Sequence, residues 1–368
     1  MKKRMITAIV VMMLAFAAVG CSNATGGSSD VSIGIVLPTK DEPRWVQDEE
    51  RFKEALADSD YTTEILFSQG SSAKEKENVE TLLNKGIDVL IIAPHDGAAA
   101  GAAVKAAKKD DVTVIAYDRL ITDSKDVDYY VTFDNFAVGA AQGQFLIDNA
   151  KGSGTPLYLY AGAASDNNAF LFFEGAWSVL QPKVADGTFI IANSSEAEAL
   201  QDKAELSRDE RGKILGQVTT NWDANEAKNK AQTHLTAVEA DMKGDVAILA
   251  PNDGTARSIA DVFESDPEVS SYIVTGQDAE QASIQYIIDG KQSMTVFKDV
   301  RTLVKDAIGM AVTVLDGGEP ETNGSYDNKS KEVAAKQTDV IVVDKENVKS
   351  ELIDSGYYEE SEFVFEDQ

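Results

Sequence analysis

The fold is decided by residues 112–120, which read VTVIAYDRL. Apolar and β-branched residues fill the first part of this stretch, and Tyr117, Asp118 and Arg119 follow directly. An apolar run this short is typical of a strand covered on both faces, as in a parallel sheet. The acid and the base then lie at the carboxyl edge of the sheet, where open α/β sheets bind ligands. We therefore expect a ligand site at this edge.

Strand and helix signals alternate on both sides of this stretch. The other predicted strands are 31–37, 62–68, 87–93, 128–133, 156–163, 188–193, 245–250, 271–275, 293–297 and 339–343. The predicted helices are 45–58, 73–85, 97–109, 136–150, 169–180, 224–240, 255–264, 279–289 and 302–315. Residues 196–217 are highly charged, and we expect a surface helix or excursion there. Strands separated by single helices predict an α/β fold with a doubly wound parallel sheet.

An internal similarity indicates two such sheets. Residues 89–97 read VLIIAPHDG and residues 246–254 read VAILAPNDG, with Val, Ile, Ala, Pro, Asp and Gly at matching positions. Each segment precedes a predicted helix and then a strand that ends in an acid, Asp118 or Asp278. We therefore expect two similar α/β lobes, related by a pseudo-two-fold axis, whose strand ends face one another across a cleft.

Length and charge limit the function classes. A chain of 368 residues is long enough for two domains, each with its own core. The 34 Lys and Arg residues against 62 Asp and Glu residues give a net charge of −28. This excess argues against nucleic acid and anionic lipid headgroups as partners, because both require a clustered basic surface. We expect a monomer.

The first residues predict export. Lys2, Lys3 and Arg4 precede an apolar segment, 6–19, that is too short to span a bilayer. Residues 18–21, AVGC, resemble the lipobox of bacterial lipoproteins. We expect residues 1–20 to be a signal peptide, Cys21 to be lipidated and 21–30 to be a flexible tether. The protein would then be anchored by lipid to the outer face of the cell membrane, or be periplasmic. The alternative is an ordinary secretory signal with an incidental cysteine.

Polar and aromatic residues cluster at the loops that follow the predicted strands. A carboxylate can accept a hydrogen bond from a hydroxyl group while Arg, Lys or Asn donates a hydrogen bond to the hydroxyl oxygen. Indole rings can pack against the flat C–H faces of a pyranose, and Trp45 and Trp222 lie beside polar runs, whereas Trp177 fits buried helix packing. The loops supply Lys40, Arg44, Trp45, Asp96, Asp118, Arg119, Asp166, Asn167, Asn168, Trp222, Asn252, Asp253, Asp278 and Lys298. This chemistry suits a ligand covered in hydroxyl groups.

Six short motifs carry a family resemblance over about residues 31–358. In chain order they are KDEPRW (40–45), AYDRL (116–120), FDN (133–135), DNNA (166–169), GQDA (276–279) and TVFKD (295–299). Together they resemble the xylose-binding and multiple-monosaccharide-binding proteins of bacterial ABC importers. The resemblance implies a type I periplasmic binding protein: two Rossmann-like doubly wound parallel-sheet lobes, joined by a three-crossover hinge, that close on a monosaccharide.

The resemblance also implies lobe boundaries and sugar contacts. The N-terminal lobe would comprise 31–134 with 298–336, and the C-terminal lobe 135–297 with 337–368. The crossovers would fall near 133–136, near 295–298 and before Asp339. The implied sugar-binding residues are Arg44, Asp118 and Arg119 in the first lobe, Asp166, Asn168, Trp222 and Asn252 in the second, Asp278 and Lys298 near the hinge, and Lys40 and Trp45 by position.

Some of these residues also have simpler structural interpretations. Asp118 and Arg119 could form only a salt bridge. We expect Asp96 and Asp253 to cap helices, because an Asp-Gly pair at a helix start satisfies free backbone N–H groups. Asp134, with the adjacent Asn135, is expected to be a hinge or helix-cap device.

Other functions remain as alternatives. An exported glycosidase would need two carboxyl groups at a set separation, and an Arg beside each acid would keep that acid ionised. The sequence has no GxSxG, HExxH, phosphate-loop or calcium-loop motif, so we expect no catalytic residue, cofactor or metal. A sugar-responsive repressor is excluded because the export signal stands where a DNA-binding motif would be. The expected partners are a monosaccharide and the membrane subunits of an ABC permease. A sensory role, in which the protein presents bound sugar to a chemoreceptor, is a further alternative, and the particular sugar is left open.

Overall fold

The computed structural model describes residues 32–57 and 59–365. The predicted signal peptide, the predicted lipidation site Cys21 and the predicted tether therefore lie outside the described residues. Among the helices that are described, none combines the length and the apolar character needed to cross a membrane.

The first sheet has seven strands and is parallel except at one edge. Its order is β11-β12-β5-β4-β3-β1-β2, and only β11 runs antiparallel to its neighbour. The strands are β1 (Ile33–Leu37), β2 (Thr63–Phe67), β3 (Val89–Ile92), β4 (Thr113–Tyr117), β5 (Tyr129–Phe133), β11 (Gly324–Asp327) and β12 (Glu332–Thr338). β1, β3 and most of β4 are buried, because helices cover both faces of the sheet.

The second sheet has four parallel strands in the order β7-β6-β8-β9. A third, small sheet pairs β10 with β13 in antiparallel fashion. The strands are β6 (Thr155–Leu159), β7 (Phe189–Ile191), β8 (Gly244–Leu249), β9 (Val269–Val274), β10 (Met294–Phe297) and β13 (Ile341–Asp344). The predicted strands are thus present, and the positions of the three crossovers stay a prediction. The exact lobe boundaries stay a prediction.

Eleven α-helices lie within the described residues. They are α1 (Pro43–Leu56), α2 (Ser72–Leu83), α3 (Gly101–Lys109), α4 (Asn135–Asn149), α5 (Asn167–Ala185), α6 (Ser195–Ala199), α7 (Arg208–Val218), α8 (Ala224–Ala237), α9 (Asp253–Ser265), α10 (Gln281–Ile288) and α11 (Val300–Leu315). The predicted helix at 97–109 begins only at Gly101, because residues 97–100 form turns. The charged stretch 196–217 contains most of α6 and α7, and Ile214, Leu215 and Val218 anchor α7 in the core.

Helices α4 and α5 pack with their backbones in close contact. A Cβ atom on Gly139 would lie 1.8 Å from the carbonyl oxygen of Phe172, and one on Gly175 would lie 2.0 Å from that of Phe136. Only glycine permits this approach. The pair links the predicted first crossover, just before Asn135, to the start of α5, where Asn168 and Phe172 are presented to the cleft.

Candidate ligand-binding site

A cavity lies where residues after the strands of both large sheets converge, and its volume is ≈ 310 Å³ when space open to solvent is included. It is lined by Glu42, Arg44, Trp45, Asp118, Arg119, Asp166, Asn168, Phe172, Trp222, Asn252, Gln277, Asp278 and Lys298. Every predicted sugar-binding residue except Lys40 is in this set. Glu42, Phe172 and Gln277 were not predicted.

Arg44 connects three carboxylates at the base of the cavity. Its Nε donates to Asp48 Oδ2 at 2.6 Å, and its Nη2 donates to Asp118 Oδ2 at 3.0 Å. Its Nη1 donates to Asp278 Oδ1 at 3.3 Å, across the cleft. Arg44 is 3% exposed, so these ion pairs are shielded from solvent. The guanidinium group therefore joins α1, the end of β4 and the loop after β9.

Asp118 is held in one place by both its side chain and its backbone. Burial alone would raise its pKa, but Arg44, Lys298 and Arg119 outweigh burial and keep the pKa below its usual value. The carboxylate is therefore ionised at neutral pH and can only accept hydrogen bonds. Its carbonyl oxygen accepts from Tyr130 Oη at 2.7 Å and from Asn168 Nδ2 at 2.9 Å.

Three lining residues have the left-handed backbone conformation that favours glycine. Their φ angles are 60° for Asp118, 63° for Trp222 and 99° for Asp278. Such a conformation costs on the order of 1–3 kcal/mol per residue and persists only where the surroundings impose it. Backbone strain of this kind clusters at functional sites, and here it recurs at three positions around one cavity.

Arg119 forms a second connection across the cleft. Its Nε lies 3.1 Å from Asp166 Oδ2, and its Nη2 lies 3.0 Å from Glu42 Oε2. The guanidinium carbon is 4.9 Å from the centre of the Trp45 ring. Burial raises the pKa of Asp166 to about 6, against the opposing effect of Arg119.

Aromatic and amide groups form the wall in the second lobe. A Cβ atom on Gly162 would lie 2.0 Å from the Trp222 ring, so glycine is required for the indole to occupy this position. Phe172 meets Trp222 edge to face at 6.2 Å. Asn252 Oδ1 accepts from Thr255 Oγ1 at 2.6 Å, which leaves the Asn252 amide nitrogen as the donor for a ligand.

Lys298, directly after β10, completes the lining of the cavity. Its Nζ lies 2.5 Å from Asp278 Oδ1 and between the rings of Phe133 and Phe172, at 5.7 and 5.8 Å. The ammonium group and the carboxylate hold each other at the floor of the cavity, and each keeps further hydrogen-bonding capacity for a ligand.

Two predicted features have other positions. Lys40 does not line the cavity: its Nζ pairs with Glu49 Oε2 at 2.7 Å, and its side chain is 56% exposed. Asp253 was predicted to cap a helix, and this prediction is wrong. Asp253 is the first residue of α9, is fully buried and accepts from Gln292, Thr295 and the backbone N–H of Glu280.

The interpretations of Asp134 and Trp177 agree with the structure. Asp96 instead caps the turn before α3, whose N-cap residue is Ala100, so its prediction as a helix cap is wrong. Asp118 and Arg119 form ion pairs with Arg44 and Asp166 and not with each other. Asp96 accepts from the backbone N–H groups of Ala98 and Ala99, and Asp134 accepts from that of Ala137. Trp177 is buried, stacks on Phe173 and donates to a backbone carbonyl, away from the cavity.

Comparisons with known proteins identify the family. Residues 33–319 match the model of the periplasmic binding protein domain. The chain is 35% identical to the multiple sugar-binding periplasmic protein SbpA of Azospirillum brasilense, over 93% of this chain and 94% of the relative. The chain belongs to the periplasmic binding protein family. This binding protein is also 30% identical to the D-xylose-binding periplasmic protein of Escherichia coli K12, over 93% of this chain and 95% of that one.

Solved structures agree with this assignment. A carbohydrate transporter solute binding protein from Chloroflexus aurantiacus, in complex with D-glucose, is 67% identical to the binding protein. It has a TM-score of 0.90 and covers 91% of this chain and 98% of its own. An ABC transporter solute binding protein from Clostridium phytofermentans with bound β-D-glucose is 33% identical, has a TM-score of 0.79 and covers 90% and 99%. The predicted family and the predicted two-lobed type I fold are confirmed.

Proposed function

We propose that the binding protein closes on a neutral monosaccharide, with D-glucose as the first candidate, and delivers it to the permease of an ABC importer. The general role, a solute receptor for sugar import, is the one shared by its relatives. The observation that carries the proposal is the convergence of Arg44, Asp118 and Arg119 with Asp166 and Asp278 around one small cavity. D-glucose is chosen because the relative that is 67% identical was solved with it.

The charges of the cavity favour a neutral ligand. Arg44, Arg119 and Lys298 face four carboxylates, and each cation already lies in an ion pair with at least one of them. A ligand carboxylate or phosphate would add negative charge to a site with no spare cation, and such desolvated repulsion is costly. We therefore expect D-glucuronate and glucose 6-phosphate to be rejected.

Closure of the lobes follows from the same geometry. A ligand shifts a conformational equilibrium only by the difference in its affinity for the two states. A small sugar that contacts residues of both lobes can make all of these contacts only in the closed state. The sugar therefore stabilises the form that the permease would receive.

The first experiment is a calorimetric titration of the protein with D-glucose, D-xylose, D-galactose, L-arabinose and D-glucuronate. We expect saturable binding of at least one neutral sugar and none of the uronate, with a parallel change in tryptophan fluorescence because Trp45 and Trp222 line the cavity. Flat titrations for all four neutral sugars would contradict the proposal.

Asp118→Asn tests the proposed contact. The variant keeps the left-handed backbone, which asparagine tolerates. It removes the negative charge of the carboxylate that accepts hydrogen bonds from sugar hydroxyl groups. We expect a loss of about 1–3 kcal/mol of binding free energy, or roughly 5- to 150-fold in Kd. Asp123→Asn is the matched control, because Asp123 has a φ of 59° but lies on the surface. Equal affinities for both variants would show that Asp118 does not contact the sugar.

The glycosidase alternative has its own test. The protein can be incubated with nitrophenyl glycosides of the sugars that it binds. We expect no release of nitrophenol. Asp118 is held ionised by Arg44 and cannot act as the general acid, and Asp166, with a pKa of about 6, is engaged in an ion pair with Arg119. Catalytic release of nitrophenol that is lost in Asp118→Asn would favour the enzyme.

Anchoring by lipid is proposed on the AVGC motif at residues 18–21. Expression with Cys21→Ser should move the protein from the membrane fraction of the producing cell to the soluble fraction. An unchanged membrane fraction would contradict the proposal. Presentation of the closed, sugar-bound form to a chemoreceptor is compatible with transport and uses the same closure.

A further inference from the structure

Gln277 is a lining residue that sequence reasoning did not single out. It is 1% exposed and lies between the last residues of β9 and the strained Asp278. Its backbone is fixed on two sides: it bridges to Val296 of β10, and its carbonyl oxygen accepts from the N–H of Asp253 at 3.0 Å. The position of its side chain is therefore set by the fold.

The orientation of the Gln277 amide follows from its partner. Its Nε2 donates to the carbonyl oxygen of Pro251 at 2.6 Å. A carbonyl oxygen can only accept, so the NH₂ end must face Pro251 and the oxygen end must face away. Oε1 is buried and has no hydrogen-bond partner. An unpaired buried acceptor destabilises the site, and a donor from the ligand would remove that cost.

We propose that Gln277 Oε1 accepts a hydrogen bond from one sugar hydroxyl group and that Gln277 is a specificity-determining residue of the site. This rests on the proposed function, since it assumes a monosaccharide in the cavity. Gln277 differs from the lining carboxylates in one respect. Asp118, Asp166 and Asp278 already interact with Arg or Lys, whereas Gln277 offers a neutral acceptor with no competing cation among its contacts. Gln277 Oε1 therefore distinguishes a hydroxyl group from any sugar substituent that cannot donate a hydrogen bond.

The test is a scan with D-glucose and its 2-, 3-, 4- and 6-deoxy and deoxyfluoro analogues, by calorimetry. A fluorine atom accepts weakly but cannot donate a hydrogen bond. At the ring position that contacts Gln277, the deoxy and deoxyfluoro analogues should therefore lose the same amount of affinity. We expect Gln277→Met to weaken D-glucose binding about tenfold. In this variant, deoxy or deoxyfluoro substitution at one ring position should no longer reduce the affinity, whereas substitution at the other positions should reduce it as in the wild type.

Gln142→Met is the matched control. Gln142 is also a 1% exposed glutamine whose Nε2 donates to backbone carbonyl groups, those of Ala250 and Gly276, but it does not line the ligand cavity. It should keep the wild-type affinity and profile. Gln277→Glu is the second variant if Gln277→Met fails to fold. A protonated carboxyl group can donate to Pro251 and still offer an oxygen, so Gln277→Glu should keep the position-specific penalty.

Two results would overturn the proposal. If Gln277→Met weakens all analogues by one common factor, the residue only positions the loop that carries Asn252. If its affinities equal those of the wild type, Oε1 does not meet the ligand. Absence of any sugar binding by the wild-type protein would instead refute the proposed function, so the two failures are distinguishable.

Discussion

Glu75, which follows β2 in the first sheet, is a buried carboxyl group with one oxygen that has no hydrogen-bond partner. It is 1% exposed; its Oε2 accepts from the N–H of His95, and its Oε1 has no partner. Burial raises its pKa from 4.5 to about 7, against the opposing effects of His95 N–H and Arg119. The folded protein therefore binds a proton at this site more tightly than the unfolded chain does.

The stability of the protein should accordingly depend on pH through Glu75. Because the folded pKa is raised, its contribution is fully present below pH 4.5 and is lost as pH rises through about 7. Glu75→Gln mimics the protonated form. We expect it to remove up to about 3 kcal/mol of this pH dependence in urea unfolding followed from pH 5 to pH 8.

Glu77→Gln on the same helix is the control, since Glu77 is 66% exposed. Its unfolding free energy should follow the wild-type curve at every pH. A Glu75→Gln curve parallel to that of the wild type would show that Glu75 is not the group responsible.

Among the site residues, the sequence predicted those whose place in the fold follows from the neighbouring residues in the chain. Asp118 and Asp278 end apolar strands, so their position at the sheet edge follows from the strand pattern. Glu42 and Gln277 do not end an apolar strand, although they lie inside the motifs KDEPRW (40–45) and GQDA (276–279). Their roles depend on which partner each group finds, Arg119 or Pro251, and this is decided by folding.

Among the elements, the α4–α5 pair has the closest packing described above. We expect Gly139→Ala to lower the free energy of unfolding by about 3 kcal/mol or more, because the added methyl group would overlap the Phe172 carbonyl and force two backbones apart. Chemical unfolding monitored by circular dichroism measures the change.

Gly216→Ala in α7 is the matched control. A Cβ atom there meets nothing within 4 Å, and the position is helical. We expect it to raise stability by about 0.5–1 kcal/mol, since alanine favours helix over glycine. If both variants have the same midpoint of chemical unfolding as the wild type, the backbones of α4 and α5 are not in close contact at Gly139.

The strand hairpin β11–β12 is the element that the sequence pattern did not reveal. In β12 only Val333 and Ala335 are buried, and β11 is largely exposed. Edge strands with few buried residues lack the apolar run or regular alternation that identifies a strand. The buried strands were predictable because their whole length is apolar, whereas β12 forms through pairing with β5, which is distant in sequence.

For the whole molecule, the contacts across the cleft predict closure on the ligand. The Arg44–Asp278 and Arg119–Asp166 pairs join the lobes only when these are together. We expect a saturating neutral sugar to decrease the radius of gyration in small-angle X-ray scattering. It should also raise the unfolding free energy, by about 2.7 kcal/mol at a hundredfold excess over Kd.

D-glucuronate at the same concentration is the control and should change neither quantity. A radius of gyration that stays constant while a sugar binds would show that the lobes do not move, and the clamp model would fail.

The pairing of β12 with β5 also fixes an order of events during biosynthesis. β5 ends at Phe133, but its outer neighbour β12 starts at Glu332, after every strand of the second large sheet. A nascent or partly exported chain therefore carries a first sheet with β5 as an open edge until residues 332–338 emerge. Open edges pair readily with other chains. This edge is the surface that a holding chaperone would have to cover while the chain is incomplete.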